Sequence, residues 1–174
     1  MKSPYLFGLL VLGSVVAGCS NNSTPAQPST TSTSTLTATL LPSSEVPPVA
    51  GAEAGGSGTA TLTLTATKDS SGNVTAASLD VTVTATGFPP GTTLTASHIH
   101  NAGAGTNGGI YLGFGLGAGE VTFPNGSGSF TKQNVATTAD QANSILANPA
   151  GFYVNIHTAA NPGGVARGQL ARAQ

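Results

Sequence analysis

The sequence predicts an all-β domain, a Greek-key β-sandwich or barrel with one short helix. Three observations predict it. Apolar and polar residues alternate strictly in two long stretches, which is the period of a half-buried strand. Turn signals built from Gly, Asn, Ser and Pro separate the strand-like runs. One segment carries both the start and the stop signals of a helix.

The elements follow in order. Thr59 to Thr67 puts Ala60, Leu62, Leu64 and Ala66 on one face and threonines on the other. Ser70-Ser71-Gly72-Asn73 is a hairpin turn signal. The next strand turns Leu79, Val81, Val83 and Ala85 to one side, with Asp80, Thr82, Thr84 and Thr86 opposite. Leu64 and Val83 are expected in the core. Gly87 to Gly91, with Pro89-Pro90, forms a loop. Leu94 to His100 is another strand, followed by a glycine-rich loop around a short strand near Ile110 to Phe114. Pro124-Asn125-Gly126 turns the chain into Ser127 to Lys132. Thr138-Ala139-Asp140-Gln141 is a capping box for a helix through Leu146, which Asn148-Pro149 stops. Phe152 to His157 and Val165 to Leu170 close the domain as a hairpin.

The amino-terminal residues set the location. Residues 1–18 read as a signal peptide: Lys2 is its positive start, and Tyr5 to Val16 is an apolar run too short to span a membrane. Val16-Ala17-Gly18-Cys19 resembles a bacterial lipobox, in which the cysteine becomes the lipidated amino terminus. Lipid burial contributes about 0.8 kcal/mol per CH₂, and two or more chains anchor stably. Ser20 resembles the residue found in lipoproteins sorted to an outer membrane. Cys19 is the only cysteine, so the mature chain forms no internal disulfide. Residues 19–35, rich in Ser, Thr, Asn and Pro, read as the lipidated terminus and a flexible tether. Residues 36–174 then form a single domain. Without Lys2, four basic residues face six acidic ones, a net charge of −2. No basic patch exists, which argues against nucleic acid as a partner. The expected setting is the bacterial cell envelope, with the membrane as a partner through the lipid.

The chain holds three histidines in two clusters. His98-Ile99-His100 reads H-x-H, and in a strand residues i and i+2 share a face, about 7 Å apart. His157 lies in Asn155-Ile156-His157-Thr158, and Arg167 follows. Phe152, Val154 and Ile156 take the core face, so Tyr153, Asn155 and His157 point outward. His98 and His100 point outward too if a β-bulge switches parity after Leu94 and Ala96. The glycine-rich loop from Asn101 to Gly109 then folds over them. Neutral imidazoles suit copper, zinc, iron and nickel. The bland alternative is that they bond loop carbonyls. Arg167 has two open uses: steering an anion, or pairing with a carboxylate such as Glu45 or with backbone carbonyls. Tyr111 and Tyr153 read as packing residues with a polar tip.

Four motifs together resemble a CHRD (chordin-type) domain: Glu45-Val46-Pro47-Pro48-Val49, Ala96-Ser97-His98-Ile99-His100, Tyr153-Val154-Asn155-Ile156-His157-Thr158 and Gly164-Val165-Ala166-Arg167-Gly168-Gln169-Leu170. A further resemblance is to copper/zinc superoxide dismutase. Gly87, Gly91 and His98-Ile99-His100 are similar to that family's strand bearing two copper ligands. His157 and Arg167 take the places of its late histidine and its anion-guiding arginine. The bridging histidine, the zinc-ligand cluster and the disulfide partner have no match. The resemblance implies a superoxide dismutase-like fold and a copper-only site on His98, His100 and His157, with Arg167 catalytic and superoxide the substrate. Zinc is the lesser candidate for the site. The rival expectation is a non-enzymatic module of an outer-membrane or surface-layer protein assembly.

Overall fold

The computed structural model describes residues 28–174. The signal peptide, Cys19 and residues 20–27 of the tether lie outside them. Two antiparallel sheets make a sandwich. One is assembled from β1 (Thr30–Leu40), β2 (Ser57–Lys68), β3 (Val74–Thr86), β7 (Gly128–Thr137) and β10 (Ala171–Arg172), in the order β10-β1-β2-β3-β7. The other runs β5-β4-β8-β9, from β5 (Gly109–Gly113), β4 (Thr92–Asn101), β8 (Phe152–Thr158) and β9 (Ala166–Gln169). The short β6 (Thr122–Phe123) pairs with the start of β4. Among the described residues, no helix is long and apolar enough to cross a membrane.

The alternation read from the sequence is the pattern that builds the core. Leu36, Leu40, Leu62, Leu64, Leu79, Val81 and Val83 point inward from the first sheet, against Leu94, Ile99, Val154 and Ile156 from the second. The threonines opposite them face solvent, several linked across strands by hydroxyl bonds such as Thr82 to Thr131 at 3.0 Å. Asp69 closes the β2–β3 turn by accepting from the backbone N–H groups of Ser71 and Asn73. The capping box forms: Gln141 N–H donates to the Thr138 hydroxyl, and Thr138 N–H donates to the Gln141 side chain. The helix α1 (Ala139–Ala147) buries Ala142 and Ile145.

The sequence reading placed Thr30 to Thr35 in the tether, but these residues extend β1. They pair residue by residue with Lys68 to Thr63 of β2. Ser and Thr are common to tethers and to exposed strand faces, and here a neighbouring strand fixes the outcome.

Two features position the functional face. Leu94 pairs with Thr158 and Ala96 with His157, so β4 holds one extra residue against β8. This bulge switches parity, and Leu94, Ser97 and Ile99 all turn inward while His98 and His100 turn out. At one edge the two sheets meet. Leu41 N–H donates to Arg167 O at 3.0 Å, and Arg167 N–H to Leu41 O at 3.3 Å. A Cβ on Gly168 would lie 2.0 Å from Thr39 O, so only glycine lets β9 approach β1 this closely.

Candidate metal centre

His98 and His100 on β4 meet His157 on the adjacent β8, with one ligand nitrogen of each within 4.8 Å of the others. The parity expectation holds, yet the outer face is not open. His100 and His157 are buried and His98 is half-buried. The cover comes from the 45–50 segment, the glycine-rich loop and the 158–164 turn, which with His100 and Tyr153 bound a cavity of about 370 Å³.

A hydrogen bond fixes the tautomer of His100. His100 Nδ1 lies 3.0 Å from Gly108 O, and His157 Nδ1 lies 3.0 Å from Pro162 O. A carbonyl only accepts, so His100 Nδ1 carries the proton of the neutral ring and His100 Nε2 is bare. Backbone carbonyls commonly orient metal-binding histidines in this way. His98 Nδ1 stands 3.1 Å from His157 Nε2. The Asn155 side-chain oxygen Oδ1 lies 2.8 Å from the same nitrogen, so His157 faces an acceptor at each ring nitrogen and Pro162 alone does not set its tautomer. His100 Nε2 is buried with no hydrogen-bond partner among the described residues. An orphaned buried lone pair is costly, and a cation answers it.

The donor set fits a metal. Nitrogens about 2.0–2.1 Å from one ion lie at most about 4.2 Å apart, so a small ring rotation brings this cluster to coordination distance. All three donors are imidazoles, the set suited to copper or zinc. Burial, followed by the neighbouring His157 and His100, pushes the His98 pKa down to about 4. Burial lowers that of His157 as well, against a smaller opposing effect of its bond to Pro162. Neutral rings are the form that binds metal.

Arg167 is buried and bound on all sides. Its Nε donates to Glu45 Oε2 at 2.8 Å, one terminal nitrogen to Thr106 O at 3.0 Å, and the other to Asn107 Oδ1 at 2.6 Å. Its guanidinium lies 4.6 Å over the Tyr153 ring. Glu45 is buried too, and desolvation raises its pKa although Arg167 pulls the other way. Both bonding uses foreseen for Arg167, a carboxylate and a backbone carbonyl, are present.

The sequence reading missed part of the site. Tyr153 does more than pack: its ring stacks on His100 at 4.9 Å with planes 2° apart, and its hydroxyl accepts from Gly108 N–H at 3.4 Å. The signal was available, because Tyr153 shares the outward parity of Asn155 and His157. The carbonyls of Gly108 and Pro162 carried no signal, since every residue has one. Glu53 also holds the cover, accepting from the Thr158 hydroxyl at 2.8 Å and from the Asn161 side chain.

A family model for the CHRD domain matches residues 36–170. This chain belongs to the CHRD-domain family. The matched span of the CHRD domain runs from within β1 to the residue after β9, and so takes in all three histidines, Glu45 and Arg167. A comparison with curated proteins finds no match.

Proposed function

We propose that this CHRD domain binds one copper ion through His98, His100 and His157 and supports superoxide dismutase-like chemistry at the bacterial cell envelope, held to the outer membrane by lipid on Cys19. The observation that carries the reading is the convergence of three imidazole nitrogens with the His100 Nε2 lone pair buried and unpartnered. Copper precedes zinc in affinity for nitrogen ligands, and zinc has no redox chemistry. Copper would supply a one-electron couple, taking an electron from one superoxide to give dioxygen and returning it to a second, which leaves with two protons as hydrogen peroxide. The protein's part is to hold and shape. Gly108 holds the His100 ring in the Nδ1–H form, Pro162 orients the His157 ring, and Tyr153 backs the His100 ring. Three protein ligands leave a coordination position free. The adjoining cavity of about 370 Å³ is ample for a two-atom anion.

The test is superoxide decay by purified protein with free copper chelated. Copper-loaded protein is expected to accelerate decay, and zinc-loaded protein is not. Activity no greater than that of a variant lacking all three histidines would remove the enzymatic reading. One observation favours a second reading, a non-catalytic module of an envelope assembly. The Arg167 charge is matched by Glu45, which weakens the pull on an incoming anion.

A further inference from the structure

We infer that Arg167 is a positioning residue: by gripping Thr106 and Asn107, it presents Gly108 O to His100 and so sets which nitrogen of that ring is bare. For its consequence on metal binding the inference rests on the reading of His100 as a ligand. Its first test needs no metal.

The chain of contacts is continuous. Gly108 O, 3.0 Å from His100 Nδ1, is the acceptor that favours the Nδ1–H form. Gly108 belongs to a loop whose residues 103–107 are all exposed and which contains Gly103, Gly105, Gly108 and Gly109. Such a loop has little conformational restraint of its own. Its restraint is external, and it concentrates on the two residues before Gly108. Arg167 donates to Thr106 O and to Asn107 Oδ1, and Asn107 in turn donates to Val46 O at 2.8 Å. Tyr153 accepts from Gly108 N–H, and Gln169 donates to Ala102 O at 2.8 Å.

The anchor itself is fixed. The Arg167 backbone is bonded in both directions to Leu41, its Nε to Glu45, and its guanidinium lies on Tyr153. Arg167 and His100 therefore both contact the Tyr153 ring and hold successive residues of one strap. The planar fork is essential, because it reaches Glu45, Thr106 and Asn107 at once. A lysine brings the same charge to a single point and cannot make the three bonds together. This separates positioning from anion steering, for which charge alone suffices.

The experiment compares wild type, Arg167→Lys and Asn107→Ala. Imidazole ¹⁵N shifts in the metal-free protein report the His100 tautomer, and copper titration reports affinity. Wild type is expected to hold His100 in the Nδ1–H form. Arg167→Lys is expected to mix the two tautomers and to weaken copper binding about 10- to 100-fold, the usual effect of losing an outer-shell partner, with no change in stoichiometry. Asn107 is exposed, so Asn107→Ala leaves the core intact and is expected to shift the tautomers in the same direction by less. If Arg167→Lys does not fold, Asn107→Ala decides alone. Full retention of the Nδ1–H form in the folded variants overturns the inference, whatever their copper affinity. Failure of wild type to bind copper would count against the proposed function and leave the tautomer result standing.

Discussion

Removing Glu45 is expected to destabilise the domain far more than removing Glu120, although both carboxylates sit in ion pairs. The Glu45–Arg167 pair is 2.8 Å long with side chains 5% and 4% exposed. The Glu120–Lys132 pair is 2.6 Å long, but its side chains are 46% and 22% exposed. Contact length does not decide the outcome; water does. In Glu120→Ala the lysine is resolvated, and the loss is small. In Glu45→Ala the guanidinium stays buried beside two neutral acceptors with no counter-charge. Breaking a buried pair from one side costs about 3–5 kcal/mol. For a chain of this size that lowers Tm by roughly 6–20 °C, at about 2–4 °C per kcal/mol. The raised Glu45 pKa fits this view. Arg167 does not fully offset the carboxylate's desolvation, and the loss is felt chiefly when one charge is stranded. The double variant Glu45→Ala with Arg167→Ala is therefore expected to lose less than the two single losses added together. Thermal and urea melts of the four proteins check this. Equal losses in Glu45→Ala and Glu120→Ala, or strict additivity in the double variant, would refute the reasoning.

Three further outcomes are expected. Leu64→Ala removes a core side chain that is 1% exposed and is expected to cost about 2–5 kcal/mol, with Val83→Ala costing less; a negligible loss at both in urea melts would contradict the register. In metal-free protein, His98 is expected to titrate near pH 4 in an NMR titration, and a pKa near 6.5 would contradict its burial. Because the unfolded ring takes up a proton below about pH 6.5 and the folded ring does not until about pH 4, this ring's effect is to lower stability as pH falls across that window. Cys19→Ala is expected to release the folded domain from the membrane fraction; membrane retention without a second anchor would contradict lipidation at Cys19.

Much of this fold is legible because period-two alternation leaves few choices. Leu62, Leu64, Val81 and Val83 can face a core in only one register, and the β2–β3 pairing uses it. The β4 bulge was legible as a conflict. Leu94 and the two histidines share parity but not chemistry, and an inserted residue resolves it. β1 was harder: Leu36, Ala38 and Leu40 alternate, yet the Ser/Thr run before them matches a tether in composition. The histidine cluster was readable from strand parity, since β4 and β8 had only to be neighbours. Its surroundings were not. Glu45 and Arg167 are 122 residues apart, and nothing local distinguishes a buried pair from two surface charges. The Nδ1 partners of His100 and His157 are backbone carbonyls, whose positions depend on how two loops fold across the sheet.

The central claim is that His98, His100 and His157 together hold one copper ion. Copper titration followed by native mass spectrometry, on wild type and on a variant with all three histidines changed to alanine, tests it most directly. The expected result is one copper per wild-type chain and none in the triple variant, with His100→Ala losing most of the affinity. Stoichiometric copper on the triple variant, or none on wild type, would contradict it.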